Sequence, residues 1–199
     1  MQPILNLLPQ HVEAYVTKAI KTNKSIEEIR LRINQPVECL FSNITLFSPT
    51  SFTEDDASMF LNQLSSYSLY AFEEELQKGY ITIEGGHRVG LAGKTILENG
   101  KVKTIRPIRS FNIRVAKQKI GVSNKLVSEL YDGKNGWRNT LIIGAPQTGK
   151  TTLLRDLARN VSTGTASIPA SKVAVVDERS EIAGCMNGTP QHDLGTRTD

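Results

Sequence analysis

Hydrophobic residues near the start of the chain recur at the spacing of an α-helix. They are Val12, Tyr15, Val16, Ala19 and Ile20. One apolar stripe of this kind predicts an amphipathic helix that ends near residue 21. Residues 29–33 then alternate between apolar and basic, which predicts a strand with one buried face, and Pro36 interrupts or edges that strand.

Acidic residues mark the start of a second helix. Residues 53–56 place carboxylates where the positive end of a helix dipole favours them. Met59, Phe60 and Leu64 follow at helical spacing. A third helix is predicted over residues 68–78, and Gly79 ends it.

Short β-like runs replace the helical spacing after residue 79. They cover residues 80–83, 88–92 and 95–97, and Asn99-Gly100 predicts a hairpin turn. Residues 1–104 are therefore predicted to form an N-terminal α+β domain. Residues 105–120 are interpreted as a strand or a basic linker, and residues 121–199 as a second domain.

The second domain has the pattern of an α/β protein. The apolar run 139–143 predicts a buried strand, and a glycine-containing loop follows it. Apolar residues then recur at helical spacing, at Leu153, Leu154, Leu157, Ala158 and Val161. This order of strand, loop and helix is the setting of a phosphate-binding loop.

Composition narrows the class of protein. With 39% apolar residues in 199, the chain can bury a core, so disorder throughout is excluded. No run approaches the roughly 18 apolar residues of a transmembrane helix, and no basic segment precedes an apolar one at the start. Membrane spanning and secretion are therefore not expected. Cys39 and Cys185 lie far apart, which predicts two reduced thiols rather than a disulfide framework or a zinc site.

The P-loop pattern of Gly, four residues and Gly-Lys-Thr occupies residues 144–151. Its glycines let backbone N–H groups converge on an anion, and the following helix points its positive end at the same place. Lys150 is expected to bind the β- and γ-phosphates of ATP, and the Thr151 hydroxyl to bind Mg²⁺. The predicted nucleotide-binding residues are Gly144, Ala145, Pro146, Gln147, Thr148, Gly149, Lys150, Thr151 and Thr152.

A second candidate feature is the apolar run that ends in acids, residues 172–181. Acids at the end of a buried parallel strand point into the crevice where α/β proteins bind ligands. Asp177 would then hold Mg²⁺ through water, and Glu178 would polarise the attacking water. Surface ion pairs at a solvated strand end are an equally weighted interpretation.

Three segments together resemble the stage III sporulation AA family of secretion ATPases. They are GAPQTGKTTLLR at residues 144–155, VDERSEIAG at 176–184 and GYITIEGGHRVGLAG at 79–93. The resemblance implies an N-terminal α/β domain, a linker and a RecA-like domain of the AAA+ type, which form a hexamer with ATP between the two domains. It implies that residues 173–181 correspond to the acidic box of these motors, with Glu178 catalytic beside Lys150.

A RecA-like sheet needs further strands, and the Walker B acid is expected beyond residue 199. The resemblance therefore implies a domain truncated at its C-terminal end, which binds nucleotide weakly and hydrolyses it poorly, and an ATPase when full length. It implies membrane partners of a sporulation channel. The expected location is the cytoplasm, with a peripheral position at a membrane on the mother-cell side as an alternative.

Basic residues cluster between residues 79 and 125, against only Glu84 and Glu98. Three readings stay open for Arg106, Arg109 and Arg114: solvated charges, contacts to nucleotide phosphates by analogy with related motors, or nucleic-acid binding. Only Phe111 is aromatic in this block after Tyr80, so nucleic acid is not the expected partner. The alternatives to a transport ATPase are an ATPase that acts on nucleic acid and a non-hydrolysing assembly module.

Overall fold

The chain divides into two compact units, Met1–Ala116 and Lys117–Asp199. The computed structural model describes residues 1–23, 25–65, 79–98, 100–146, 148–178, 180–186 and 188–199. The helix predicted over residues 68–78 lies outside these ranges, as do Asn99 and Gln147.

The first unit is built on a six-stranded antiparallel sheet. Its strands are β1 (Ile26–Arg32), β2 (Gln35–Phe41), β3 (Ile44–Phe52), β4 (Tyr80–Ile83), β5 (His87–Glu98) and β6 (Lys101–Arg114). They are arranged in the order β3-β2-β1-β6-β5-β4. The helices are α1 (Gln2–Leu5), α2 (Gln10–Thr22) and α3 (Glu54–Ser65). This mixed architecture confirms the α+β expectation for the start of the chain.

Alternation along the central strands builds the core of this unit. Ile29 and Leu31 of β1 pair in register with Ile113 and Phe111 of β6, and all four side chains are fully buried. The Phe111 ring meets Phe60 of α3 edge-on, with ring centroids 5.0 Å apart. Because side chains of a strand alternate between faces, the apolar set packs on one side and leaves Glu28, Arg30 and Arg32 on the other.

The start of α3 agrees with the predicted position. The backbone N–H of Thr53 donates to Asp56 Oδ2 at 2.8 Å, and the N–H of Asp56 donates back to Thr53 Oγ1 at 3.1 Å. This reciprocal pair is a capping box, which satisfies amide groups that a helix start leaves without partners.

The region between residues 88 and 114 contains fewer and longer strands than the sequence predicts. The runs 88–92 and 95–97 belong to one strand, β5. A Cβ at position 93 would lie 2.2 Å from the Pro107 carbonyl oxygen, so the close approach of β5 and β6 at this point requires glycine. Most of the segment interpreted as a strand or linker, residues 105–114, is the second half of β6. Phe111 and Ile113 bind it to the core, so Arg106, Arg109 and Arg114 are strand residues.

The second unit is organised around a long helix. Its elements are α4 (Asn124–Leu130), the hairpin of β7 (Tyr131–Asp132) with β8 (Gly136–Trp137), and α5 (Lys150–Thr163). Val127, Leu157 and Ile168 form a small buried cluster between them. Within the described ranges of both units, no helix is long and apolar enough to cross a bilayer.

The prediction of a buried strand over residues 139–143 is wrong. Its backbone has no strand pairing among the described residues, and Leu141 and Ile143 are 81% and 82% exposed. The apolar run before Asp177 forms a short parallel pairing with residues 197–199, in which the Val173 and Val175 N–H groups donate to the Arg197 and Asp199 carbonyl oxygens, each at 2.9 Å. Val176, next along the run, is 95% exposed. A strand is stabilised by neighbouring strands. The described part of this unit supplies no such neighbour for residues 139–143, and only the short segment 197–199 for residues 173–175.

Phe111→Ala is expected to destabilise the first unit by about 3–5 kcal/mol, because it removes a fully buried ring from between α3 and the sheet. Phe47→Ala is the matched control, since Phe47 on β3 is 58% exposed, and its effect is expected to stay within about 0.5 kcal/mol. Urea unfolding followed by far-ultraviolet circular dichroism measures both. Equal effects of the two substitutions would contradict this packing.

Candidate functional site

The loop of residues 144–149 leads directly into the first turn of α5. Gly149 is the N-cap and has a φ of +88°, in the left-handed region that glycine adopts without strain. Among the described residues, no side chain makes a capping hydrogen bond at this end of the helix. The amide N–H groups of the first turn are therefore available to an external acceptor, and the positive end of the helix dipole lies at the same point.

Two side chains at the end of this loop and the start of α5 donate to the same backbone carbonyl oxygen. The Thr148 hydroxyl donates to the Ala145 carbonyl oxygen at 2.8 Å, and the Lys150 ammonium donates to the same oxygen at 2.7 Å. A Cβ on Gly144 would lie 2.9 Å from Thr148 Oγ1, so the loop has this tight form because residue 144 is glycine. The Lys150 charge is thereby held over the loop.

The acidic loop, residues 177, 178 and 180–183, is shaped by Asp177. Its Oδ1 accepts the backbone N–H of Glu181, and its Oδ2 accepts those of Ile182 and Ala183, all at 2.9 Å. The Asp177 carboxylate is thus engaged with the backbone of its own loop. Glu178 and Glu181 are exposed, and neither carboxylate has a hydrogen-bond partner among the described residues.

Arg155 joins the acidic loop to α5. Its Nε donates to the Ile182 carbonyl oxygen and its Nη2 to the Glu181 carbonyl oxygen, each at 2.6 Å. The side chain lies four residues after Thr151, on the same helix face. Burial lowers the pKa of this guanidinium from its ordinary value, and the nearby Asp177 carboxylate opposes the shift.

One cavity of about 290 Å³ brings the two candidate features together. Lys150 and Thr151 of α5 line it, as do Asp177, Glu178 and Glu181 of the acidic loop. It therefore offers an ammonium group, a hydroxyl and two available carboxylates. Within the described ranges no group of three or more acidic, histidine or cysteine side chains is arranged to hold a metal ion by itself.

The predicted site residues that the structure describes fall into three groups. Lys150, Thr151 and Glu178 line the cavity, while Gly144, Ala145, Pro146, Thr148 and Gly149 form the loop before α5. Thr152 lies in the first turn of α5 but not among the cavity residues. Gln147 lies outside the described residues.

Two charged residues of α5 bind the segments that pack against this helix, and the sequence patterns did not predict either of them. Arg155 binds the acidic loop, and Asp156 accepts the N–H and the hydroxyl of Ser123, both at 2.8 Å, at the start of α4. Burial would raise the pKa of Asp156, but hydrogen bonds from Ser123, Gly121 and Arg159 outweigh it and lower the pKa. Adjacent opposite charges within an otherwise apolar helical stripe were the available signal.

Comparison with known proteins then decides the family. The family model of sporulation stage III, protein AA, matches residues 1–199. The chain belongs to this family. The curated stage III sporulation protein AA of Bacillus subtilis (strain 168) is 52% identical over 200 residues. That alignment covers 100% of this chain, which spans 64% of the length of the curated relative.

Two solved ATPase structures are similar to parts of this family member. The Legionella pneumophila ATPase DotB aligns with 84% of the chain and 45% of its own length, at 16% identity and a TM-score of 0.48. The VirB11 ATPase of the Brucella suis type IV secretion system, in complex with sulphate, aligns with 88% and 60%, at 12% identity and a TM-score of 0.33. Both scores lie below 0.5, so nothing about the site is inferred from either.

The stability of the second unit is expected to fall as the pH is lowered from about 6.5 to about 4. Burial first, and then the charge of Arg155, lower the pKa of His192 from 6.5 to about 4. The unfolded chain therefore binds a proton on His192 at a pH where the folded chain does not, and stability is lost across this interval. The contribution of His192 to the stability is fully present above about pH 6.5.

Urea unfolding followed by the fluorescence of Trp137, the one tryptophan of the sequence, measures this effect in the second unit. His192→Gln is the comparison, because glutamine does not titrate. The dependence on pH should be shallower in this variant. An unchanged slope would show that His192 is not responsible.

Proposed function

We propose that residues 144–152 bind the phosphates of ATP and that the second unit is part of a RecA-like P-loop ATPase domain. The observation that carries the proposal is the cavity shared by Lys150, Thr151, Glu178 and Glu181. Triphosphate recognition requires a positive charge and free backbone N–H groups. The start of α5 supplies both.

The same cavity has the donor set that Mg²⁺ prefers. The Thr151 hydroxyl and the carboxylates of Glu178 and Glu181 are oxygen donors, and a magnesium ion bound with ATP needs few protein ligands because phosphates and water complete its shell. Thr151 would hold the ion, which when bound neutralises charge on the β- and γ-phosphates. Glu178 would accept a hydrogen bond from the attacking water and orient it toward the γ-phosphorus.

For the whole protein we propose ATP hydrolysis that energises a membrane-embedded secretion or transport channel during endospore formation. Membership of the sporulation stage III, protein AA family supports the sporulation role. The resemblance of residues 144–155 and 176–184 to secretion ATPases supports the motor activity. A homo-hexamer, membrane partners in the channel and a cytoplasmic site on the mother-cell side belong to the same proposal.

Lys150→Ala is expected to weaken binding of a non-hydrolysable ATP analogue about ten- to a hundredfold, because a hydrogen bond to a charged group contributes about 1.5–3 kcal/mol. Lys134→Ala is the matched control, since Lys134 lies exposed in the turn between β7 and β8. Calorimetry with Mg²⁺ present measures both. Equal affinities of Lys150→Ala and the unsubstituted chain would refute the phosphate site.

Thr151→Ala is expected to reduce the gain in ATP affinity that Mg²⁺ provides, while affinity in a chelator stays nearly unchanged. The reason is that the variant loses an oxygen donor to the ion but keeps the Lys150 charge. Thr151→Ser retains a hydroxyl and should behave as the unsubstituted chain. Calorimetric titrations with and without Mg²⁺ test this, and equal loss in both conditions would assign Thr151 to the phosphates instead.

A further inference from the structure

Arg155 is a buried charge that the proposed chemistry does not use directly. Its residue exposure is 8%, and it lies in the interior of α5, more than one turn from Lys150. A buried guanidinium is costly unless its donors are satisfied. Here two of its N–H groups are satisfied by backbone carbonyl oxygens of the acidic loop, those of Glu181 and Ile182.

The acidic loop depends on this contact for its place beside α5. Asp177 satisfies three N–H groups from within the loop, which fixes the loop's internal shape. The carbonyl groups of Glu181 and Ile182 point outward and find their donors on α5. The Ala183 carbonyl oxygen accepts the N–H groups of Gln191 and His192, at 3.0 and 3.1 Å, which anchors the far end.

We infer that Arg155 is a positioning residue, which sets the carboxylates of Glu178 and Glu181 opposite Lys150 and Thr151. The planar guanidinium presents two parallel N–H groups to two successive carbonyl oxygens, so it fixes both the distance and the orientation of the loop. Because Arg155 and Lys150 belong to one helix, the loop is placed relative to the phosphate-binding end by a rigid element. This inference rests on the proposed function.

Three variants separate positioning from general stability. Arg155→Gln removes both the charge and the two parallel N–H donors. Arg155→Lys retains the charge but not the parallel donors. Arg159→Gln is the matched control, because Arg159 is also a partly buried arginine of α5 but donates to Asp156 and Asn160 rather than to the acidic loop. Each variant is compared in thermal stability, ATP affinity, kcat and amide hydrogen exchange.

Arg155→Gln is expected to lower kcat for ATP hydrolysis by the intact protein about a hundredfold, with little change in ATP affinity, because a misplacement of about 1 Å has an effect of that order. Arg155→Lys should recover part of the rate. Amides of residues 180–183 should exchange about tenfold faster in Arg155→Gln, since the loop loses its contact with α5. Arg159→Gln should lower thermal stability yet keep kcat and this exchange rate.

An unchanged kcat in Arg155→Gln, or an unchanged exchange rate, would overturn the inference. Parallel loss of affinity and kcat in Arg155→Gln and Arg159→Gln would overturn it too, because that result describes destabilisation alone. If the unsubstituted protein neither binds nor hydrolyses ATP, the proposed function fails and the positioning role falls with it. Faster exchange in Arg155→Gln would then still establish the contact, so the two failures are distinguishable.

Discussion

Two adjacent side chains of α5, Arg155 and Asp156, carry the architecture of the second unit. They hold the segments that pack against this helix: the acidic loop through Arg155, and the start of α4 through Asp156. Burying opposite charges destabilises a protein unless hydrogen bonds satisfy them, and both residues have such bonds. Each charge has its own set of partners. Replacing Arg155 would leave the Glu181 and Ile182 carbonyl oxygens without this donor, and replacing Asp156 would leave the Ser123 N–H and hydroxyl without this acceptor.

The first unit is stabilised in a different way. Its core is apolar, and the pairing of β1 with β6 brings together residues more than 70 positions apart in sequence. Arg30 and Arg32 lie on the opposite face and form ion pairs with Glu28 and Glu38. Side-chain alternation along the strands accounts for both faces, since apolar burial needs no specific partner whereas the charged face does.

Side-chain spacing predicted the type of several elements, such as α5 and the strand over residues 29–33, but it did not predict which apolar runs find a pairing partner. The helical spacing after Gly149 predicted α5, which begins at Lys150. The apolar run 139–143 predicted a strand that does not form, because apolar composition indicates burial but does not supply a pairing neighbour. The adjacent charges of Arg155 and Asp156 were a local signal, but the role of Arg155 was missed because the carbonyl groups that it binds lie 26 and 27 residues away.

This contrast between local and distant contacts also separates the two steps proposed for the site. Phosphate recognition needs the loop of residues 144–149 and the first turn of α5, which are adjacent in sequence and closed by bonds within six residues. The proposed orientation of an attacking water requires Glu178, which lines the cavity from a later loop that is bound to α5 through Arg155. Local opening of that loop leaves the phosphate-binding end of the helix intact. In the proposed function, nucleotide binding therefore rests on contacts that are local in sequence, and hydrolysis rests on tertiary contacts.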